Sequence, residues 1–182
     1  MSRTDARIRY TQGVLKQALL SFLQEKPINK ITVKEVCERA ELNRATFYAH
    51  YSDCFALLES IEEDLLEAFQ QSLKLVDSFD VTALIEAIYT MIEQQQEACR
   101  VLIFQNVCPN VLRRMISLAR DESISYWKRH LHHITDAELE MLYTHLSNGL
   151  MHVVVEGYEK YGREEVVRFV NRIVQCSLSQ FQ

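Results

Sequence analysis

Residues 32–58 read TVKEVCERAELNRATFYAHYSDCFALL, and this stretch decides the fold. Thr32 and Glu35 have the spacing of a capping box, in which a hydroxyl and a carboxylate each accept a hydrogen bond from an amide at a helix start. They predict a short helix over 33–40, and Asn43, a favoured N-cap residue, predicts a second one reaching residue 50. Two short helices joined by a three-residue turn form a helix-turn-helix.

The second of these helices has two unlike faces. Phe47 and Tyr51 are four residues apart, so they share the face expected to pack inward against Val36, Cys37 and Leu42. The opposite face carries the small residues Ala45, Thr46 and Ala49, with Arg44 and Tyr48 on one side and His50 on the other. Small side chains let a helix backbone approach base edges, so this face fits the major groove of DNA.

The same stretch resembles the TetR/AcrR family of bacterial regulators. That family's signature is close to Thr-x-x-x-Ile-Ala-x-x-Ala-Gly-Val-Ser-x-Gly-Thr-x-Tyr-x-His-Phe, followed by a lysine and a leucine. The match is dense from about Tyr10 to Leu58, roughly a third of the chain. The resemblance implies an all-α fold, a DNA-binding repressor relieved by a small molecule, and dimerisation through the two C-terminal helices.

The resemblance also implies DNA contacts for Arg44, Thr46, Tyr48 and His50, and we add Thr32, Ala45 and Ala49 as candidates. Two positions depart from the family pattern. Glu41 stands where a turn glycine is usual, and Cys54 stands where a lysine that meets a backbone phosphate is usual. We therefore expect Cys54 to face the DNA backbone without supplying a cation.

Composition favours helices throughout the 182 residues. Only four glycines and two prolines occur, too few to punctuate a set of short strands. We predict an all-α fold of about nine helices, with a helix-turn-helix domain over 1–53 and a helical effector-binding and dimerisation domain over 54–182. The first helix is expected over 10–24, and Ser52 is expected to cap the fourth.

The distribution of charged residues also distinguishes the N-terminal part of the chain from the rest. The net charge is −5, but residues 1–54 hold nine Lys/Arg against six Asp/Glu, which favours contact between that part and phosphates. The five cysteines are odd in number and never spaced as C-x-x-C, which argues against a disulfide framework and a thiolate zinc site. A charged start and short apolar runs predict a cytoplasmic protein without a membrane span.

The middle of the chain offers candidates for a ligand cavity between the helices of 81–160. They are aromatic, sulfur-containing or polar side chains: Tyr89, Arg100, Phe104, Met115, Tyr126, Trp127, His130 and Tyr143. The histidines at 130, 132, 133, 145 and 152 include pairs that could bind a metal, but scattered helical histidines are the preferred interpretation, so we expect no metal and no cofactor.

The last two helices have long apolar faces. A second capping box, Thr135 and Glu138, opens the first of them, and Gly162 is expected to end it. The apolar face is wider than one core needs, which predicts a homodimer interface that includes Leu146, Leu150, Val153, Phe169, Ile173 and Val174.

These patterns favour a regulator over an enzyme, because no nucleophile–base pair, phosphate-binding loop or carboxylate pair stands out. The expected partners are double-stranded DNA, a second copy of the chain and a small-molecule effector. The alternative is a constitutive DNA-binding protein whose helical part recruits a protein partner. An enclosed cavity would favour the sensor, and exposed apolar patches would favour recruitment.

Overall fold

The computed structural model describes residues 3–74 and 81–181, which contain nine α-helices and no strand. The all-α prediction is confirmed. The first helices are α1 (Arg3–Leu23), α2 (Val33–Arg39), α3 (Arg44–Tyr48) and α4 (Cys54–Lys74), with a 3₁₀ turn at Ile28–Lys30. They are followed by α5 (Val81–Gln94), α6 (Gln96–Cys99), a π-helical turn (Arg100–Phe104), α7 (Pro109–His130), α8 (Asp136–Lys160) and α9 (Arg163–Leu178).

The chain forms two compact units. The N-terminal unit holds the residues up to Leu65 together with Glu97–Cys108, and the C-terminal unit holds Leu66–Gln96 and the residues from Pro109 onward. The boundary between the units falls inside α4, and the internal segment Glu97–Cys108 belongs to the N-terminal unit. This division differs in both respects from the division at residue 53 expected from the sequence.

Side-chain caps set the starts of α2, α3 and α8. At α2, Thr32 Oγ1 accepts a hydrogen bond from the Glu35 amide at 3.3 Å, and the Glu35 carboxylate accepts one from the Thr32 amide at 2.9 Å. The same reciprocal pair joins Thr135 and Glu138 at α8, and Asn43 Oδ1 accepts from the Thr46 amide at 2.8 Å. Each of these three predicted helix starts is confirmed.

Two predicted helix starts were wrong, and at the predicted end of α8 the backbone conformation of Gly162 differs from the expected one. The helix α1 begins at Arg3 and not near Tyr10. The amide of Ala56 donates to Asp53 Oδ1 at 2.9 Å, so the α4 cap is Asp53 rather than Ser52. Gly162 has φ −69° and precedes α9 in an extended conformation, so it starts that helix instead of ending α8 in a left-handed turn.

In the C-terminal unit, α8 packs against both α7 and α9, and α5 packs on α9. A buried apolar cluster joins α7 to α8; its members are Ile124, Trp127, Leu131, Leu139, Tyr143 and Leu146. Gly157 allows α8 to approach α9, because a Cβ there would lie 2.6 Å from Val166 Cγ2. Within the described residues, no helix has the length and apolarity to cross a membrane.

Candidate functional site

The helix-turn-helix of the N-terminal unit is closed by a left-handed residue. Glu41 has φ 54°, and next to it the Leu42 amide donates to the Cys37 carbonyl at 2.9 Å. This bond ends α2 and turns the chain toward α3. A glycine adopts such a φ without steric cost, whereas a residue with a Cβ is strained there. The conformation explains why a glycine is usual at this point in the signature that the sequence resembles.

The inner face of the motif is apolar and buried. Phe47 has no exposed surface, Tyr51 lies beside it with ring centroids 6.0 Å apart, and Val36 and Cys37 are buried on α2. Leu42 is half-buried in the turn. Because α2 packs on α3, these side chains hold the two short helices in one orientation. The predicted inner face is confirmed.

The outer face of α3 is open to solvent. Arg44, Ala45, Tyr48 and Ala49 are exposed, with 57% of the Tyr48 surface accessible, and Thr46 and His50 are half-buried. The helix α3 is therefore oriented as its periodicity predicts, with Phe47 facing inward and the small and polar residues facing solvent. Contact with DNA by these residues, and by the exposed Thr32, stays a prediction.

The hydroxyl groups of both candidate threonines donate hydrogen bonds within the chain. Thr46 Oγ1 donates to Asn43 Oδ1 at 3.0 Å, and Thr32 Oγ1 donates to Glu35 Oε2 at 2.7 Å. Each hydroxyl keeps lone pairs that can accept a hydrogen bond. At these two positions the side chain is therefore an acceptor for a base amino group, and it cannot donate to a phosphate without breaking its hydrogen bond to Glu35 or Asn43.

Much of the positive charge predicted for this part of the chain is paired internally. Lys16 lies 2.5 Å from Asp64, Lys26 lies 2.6 Å from Glu35, and Arg39 stacks on Phe22 near Glu25. The hydrogen bonds from Lys26 and Thr32 lower the pKa of Glu35 to about 2, so the α2 cap remains ionised at neutral pH. These cations contribute less to phosphate attraction than their number suggests.

Cys54 does not face solvent, which contradicts the expectation that it faces a DNA phosphate. Only 4% of its surface is exposed, and burial raises the pKa of its thiol to about 11. Cys54 begins the buried stripe of α4 that continues at Leu57, Leu58 and Ile61, at helical spacing. The exposed side chain of this turn is Phe55. The apolar periodicity of α4 was the sequence signal that could have predicted the burial of Cys54.

The C-terminal unit contains a partly open cavity of about 510 Å³. All of its lining residues belong to this unit, and they include the predicted candidates Tyr126, Trp127, His130 and Tyr143. The walls also take residues from α4 and α9, outside the range 81–160 that we expected; these are Phe69, Leu73, Val170, Val174, Gln175 and Leu178.

Four predicted lining residues lie elsewhere. Tyr89 and Met115 are buried in the C-terminal unit away from the cavity, and the Tyr89 hydroxyl donates to the Val154 carbonyl at 3.4 Å. Arg100 and Phe104 belong to the π-helical turn, which is part of the N-terminal unit. The sequence pattern identified aromatic helix faces but could not show which face borders the cavity.

The predicted dimer residues fall into two groups. Leu146, Leu150 and Val174 line the cavity, and two of these, Leu146 and Val174, are buried within the chain. These three side chains belong to the cavity wall of one chain, and their contact with a second copy stays a prediction. Phe169 keeps 40% of its surface exposed, and Val153 and Ile173 are half-buried. A dimer contact at these three remains a prediction.

Comparison with individual protein sequences gives a short match, whereas comparison with family models gives none. Over 62 residues, 34% of the chain, it is 37% identical to the uncharacterized HTH-type transcriptional regulator YxbF of Bacillus subtilis. The chain spans only 16% of that protein's length. The match therefore supports a helix-turn-helix of the regulator kind and carries nothing about the rest of the chain.

Solved structures match over nearly the whole length. A TetR transcriptional regulator of Streptococcus agalactiae is 24% identical with a TM-score of 0.68, covering 94% of this chain and 97% of that one. The dihydroxyacetone kinase operon activator DhaS is 14% identical with a TM-score of 0.59, covering 94% and 98%. The chain thus has the fold of TetR-type transcriptional regulators, and the resemblance found in residues 32–58 is confirmed at the level of the fold.

Proposed function

We propose that this chain is a sequence-specific DNA-binding transcriptional regulator of the TetR type, acting as a homodimer in the cytoplasm. The observation that carries the proposal is the short helix α3, whose buried Phe47 fixes an outer face of small and polar side chains in the open. Such a helix enters the major groove with little steric hindrance. The match to an HTH-type regulator supports the same reading.

The test is selection of bound duplexes from a random-sequence library, followed by affinity measurements on the enriched site. A dimer should enrich two half-sites, and Arg44→Ala should weaken binding at least about tenfold. The control is Lys74→Ala, which removes an exposed cation from the C-terminal unit. Failure to enrich any sequence, or equal losses in both variants, would overturn the proposal.

Sequence choice and positioning should be separable on the outer face of α3. Base-edge contacts specify sequence, whereas phosphate contacts only position the protein. Ala49→Gln should reorder the preferred sites, and Tyr48→Ala should weaken all sites alike. Both residues are exposed, and because the Tyr48 ring also meets the Phe47 ring edge-on, with centroids 5.6 Å apart, the fold of Tyr48→Ala is checked by circular dichroism. The reverse pattern would mean that α3 presents a different edge to the groove.

We further propose that a small molecule in the cavity relieves repression. The cavity volume falls in the range of small-molecule sites, which favours a sensor over the alternative of a constitutive DNA-binding protein that recruits a partner. The ligand must bind the DNA-competent and DNA-free conformations with different affinity, since equal affinity shifts nothing. DhaS, with the same fold, is an operon activator. Transcription in vitro from a promoter that contains the selected site distinguishes repression from activation. A repressor should lower the amount of transcript when the protein is added.

A further inference from the structure

We propose that the cavity of the C-terminal unit binds an uncharged, mostly apolar molecule that carries a single hydroxyl group. This inference deepens the proposed ligand-sensing function and rests on it. It follows from the chemistry of the cavity walls and from the hydrogen-bond donors and acceptors of the lining side chains that have no partner among the residues that the structure describes.

The walls are mainly aliphatic. Side chains from α5, α8 and α9, among them Ile85, Ile88, Leu146, Val154 and Val170, are buried and border the cavity. Burying apolar surface against them stabilises a complex in proportion to the area removed from water. The main source of affinity is therefore a hydrocarbon body.

No lining residue in the described part of the chain is Lys, Arg, Asp or Glu. Burial raises the pKa of Tyr143 to about 12, so its phenol is neutral at physiological pH. Arg120, whose charge acts on that phenol, is not part of the wall and pairs with Asp121 at 2.7 Å and with Glu140. An ionised group buried in the cavity would lose its hydration without gaining an opposite charge. The walls therefore select against carboxylates and amines.

Three hydroxyls meet at one place on the wall. Tyr143 Oη donates to the Ile116 carbonyl at 2.5 Å, and Ser123 Oγ donates to the Ala119 carbonyl at 2.6 Å. Both serines at this place, Ser123 and Ser147, lie close enough to the phenol to favour its ionised form, although burial has the larger effect. The hydrogens of Tyr143 and Ser123 are thus occupied, and their remaining lone pairs can only accept.

Ser147 has a hydrogen to give. Its Oγ is buried and makes no hydrogen bond of standard geometry to any described residue, although it lies close to the Tyr143 phenol. Leaving a buried hydroxyl unpaired costs free energy, so a ligand that pairs it gains affinity. One free donor beside several free acceptors matches a group that both accepts and donates, and a ligand hydroxyl does both. An ether or ketone would use only the Ser147 donor.

The two histidines that line the cavity do not alter this selection. His130 Nδ1 lies 2.8 Å from the Tyr126 carbonyl, which can only accept, so this nitrogen carries the hydrogen, and the His130 ring stacks on Tyr126 with centroids 4.1 Å apart. His130 and His132 are both exposed side chains. They therefore remain hydrated and do not supply a buried positive charge.

The experiment uses four probes with the same number of carbon atoms and the full-length protein: 1-octanol, 1-methoxyheptane, octanoate and octylammonium. Trp127 is the chain's single tryptophan and lines the cavity, so its fluorescence reports occupancy, with calorimetry as a second measurement. We expect 1-octanol to bind at least about tenfold more tightly than either ion, because burying the charge is unfavourable. Tighter binding of octanoate or octylammonium would overturn the proposal.

Ser147→Ala tests the hydrogen bond itself. It should weaken 1-octanol and 1-methoxyheptane binding alike, roughly 3–10-fold, the value of one hydrogen bond, because both oxygens accept from Ser147. Wild type should bind 1-octanol more tightly than 1-methoxyheptane, because the ether oxygen cannot donate to Tyr143 or Ser123. Ser125→Ala, an exposed serine on α7 outside the cavity, is the matched control and should change nothing. Leu150→Phe, which fills the cavity, should weaken all four probes and thereby exclude binding at the surface. Equal 1-octanol affinity in Ser147→Ala and wild type would overturn the proposal.

DNA affinity measured with and without each probe separates this inference from the proposed function. If 1-octanol binds as described but leaves operator affinity unchanged, the cavity chemistry stands and the sensing function fails. If an ionic probe releases DNA and 1-octanol does not, the sensing function stands and the hydroxyl inference fails.

Discussion

The two units use their apolar side chains for different purposes. In the N-terminal unit, Phe47 and Leu57 are fully buried and fix the short helices that carry an exposed face. In the C-terminal unit, equally buried side chains such as Leu146 and Val174 border about 510 Å³ of open space. Close packing gives the first unit a defined surface, whereas incomplete packing gives the second an interior that a ligand can fill. Because of this difference, the same substitution should lower the free energy of unfolding by different amounts in the two units.

The largest effect is expected from one substitution made in both units. Leu57→Ala should lower the free energy of unfolding by about 4 kcal/mol and Leu146→Ala by about 2 kcal/mol, because Leu146 already faces a cavity and loses fewer contacts. Denaturant titration followed by circular dichroism measures both. Equal losses would mean that the cavity is closed by side-chain movement in solution, and would remove the contrast between the units.

Restoring the family lysine should be costly in this chain. Cys54→Lys should destabilise the protein by about 3 kcal/mol, because Cys54 is buried and an ammonium there would have no partner. Ser52→Lys places the same charge on an exposed residue two positions earlier and should leave stability unchanged within about 0.5 kcal/mol. If Cys54→Lys is as stable as Ser52→Lys and binds DNA more tightly at low salt, then residue 54 faces the DNA after all.

In the C-terminal unit, the contact between α8 and α9 should resist enlargement. Gly157→Ala should cost about 2 kcal/mol, because its Cβ would lie 2.6 Å from Val166 Cγ2. Gly149 is in the same helix, and an added Cβ there would meet no atom within 4 Å, so Gly149→Ala should instead stabilise by about 0.5–1 kcal/mol through helix propensity. Thermal unfolding of the two variants, side by side, gives opposite shifts if α8 and α9 are packed as described.

The smallest effect is expected at the turn of the helix-turn-helix. Glu41→Gly should stabilise the N-terminal unit by about 0.5–1 kcal/mol, since φ 54° is strained for glutamate and not for glycine. Glu41→Ala keeps the strain and removes the charge, so it separates the two contributions. A stabilisation by alanine equal to that by glycine would assign the effect to charge.

Local sequence signals predicted the N-terminal unit better than the C-terminal one. The caps at Thr32 and Asn43 and the spacing of Phe47 and Tyr51 all lie within a few residues, so the helix starts and the buried face followed from the sequence. Cys54 was misplaced because a comparison with a family pattern was given more weight than the apolar stripe of α4.

The cavity could be anticipated but its walls could not. Long helices such as α8 have apolar residues on more than one face, and only the packing of other helices decides which face borders a cavity. Leu146, assigned to a dimer, lines the cavity, and so do Val170 and Val174 of α9. Arg100 and Phe104 lie in a segment that rejoins the N-terminal unit, an arrangement that no periodicity in the sequence indicates.

The burial of the cysteines has a practical consequence for chemical labelling. Burial raises the pKa of Cys37, that of Cys54 to about 11, and those of Cys99 and Cys108 to about 12, so these thiols hold very little of the reactive thiolate at neutral pH. Cys176 is exposed on α9. A maleimide dye added at pH 7 should therefore attach once per chain, at Cys176, and the native protein offers a single attachment point for fluorescence distance measurements without any engineered cysteine.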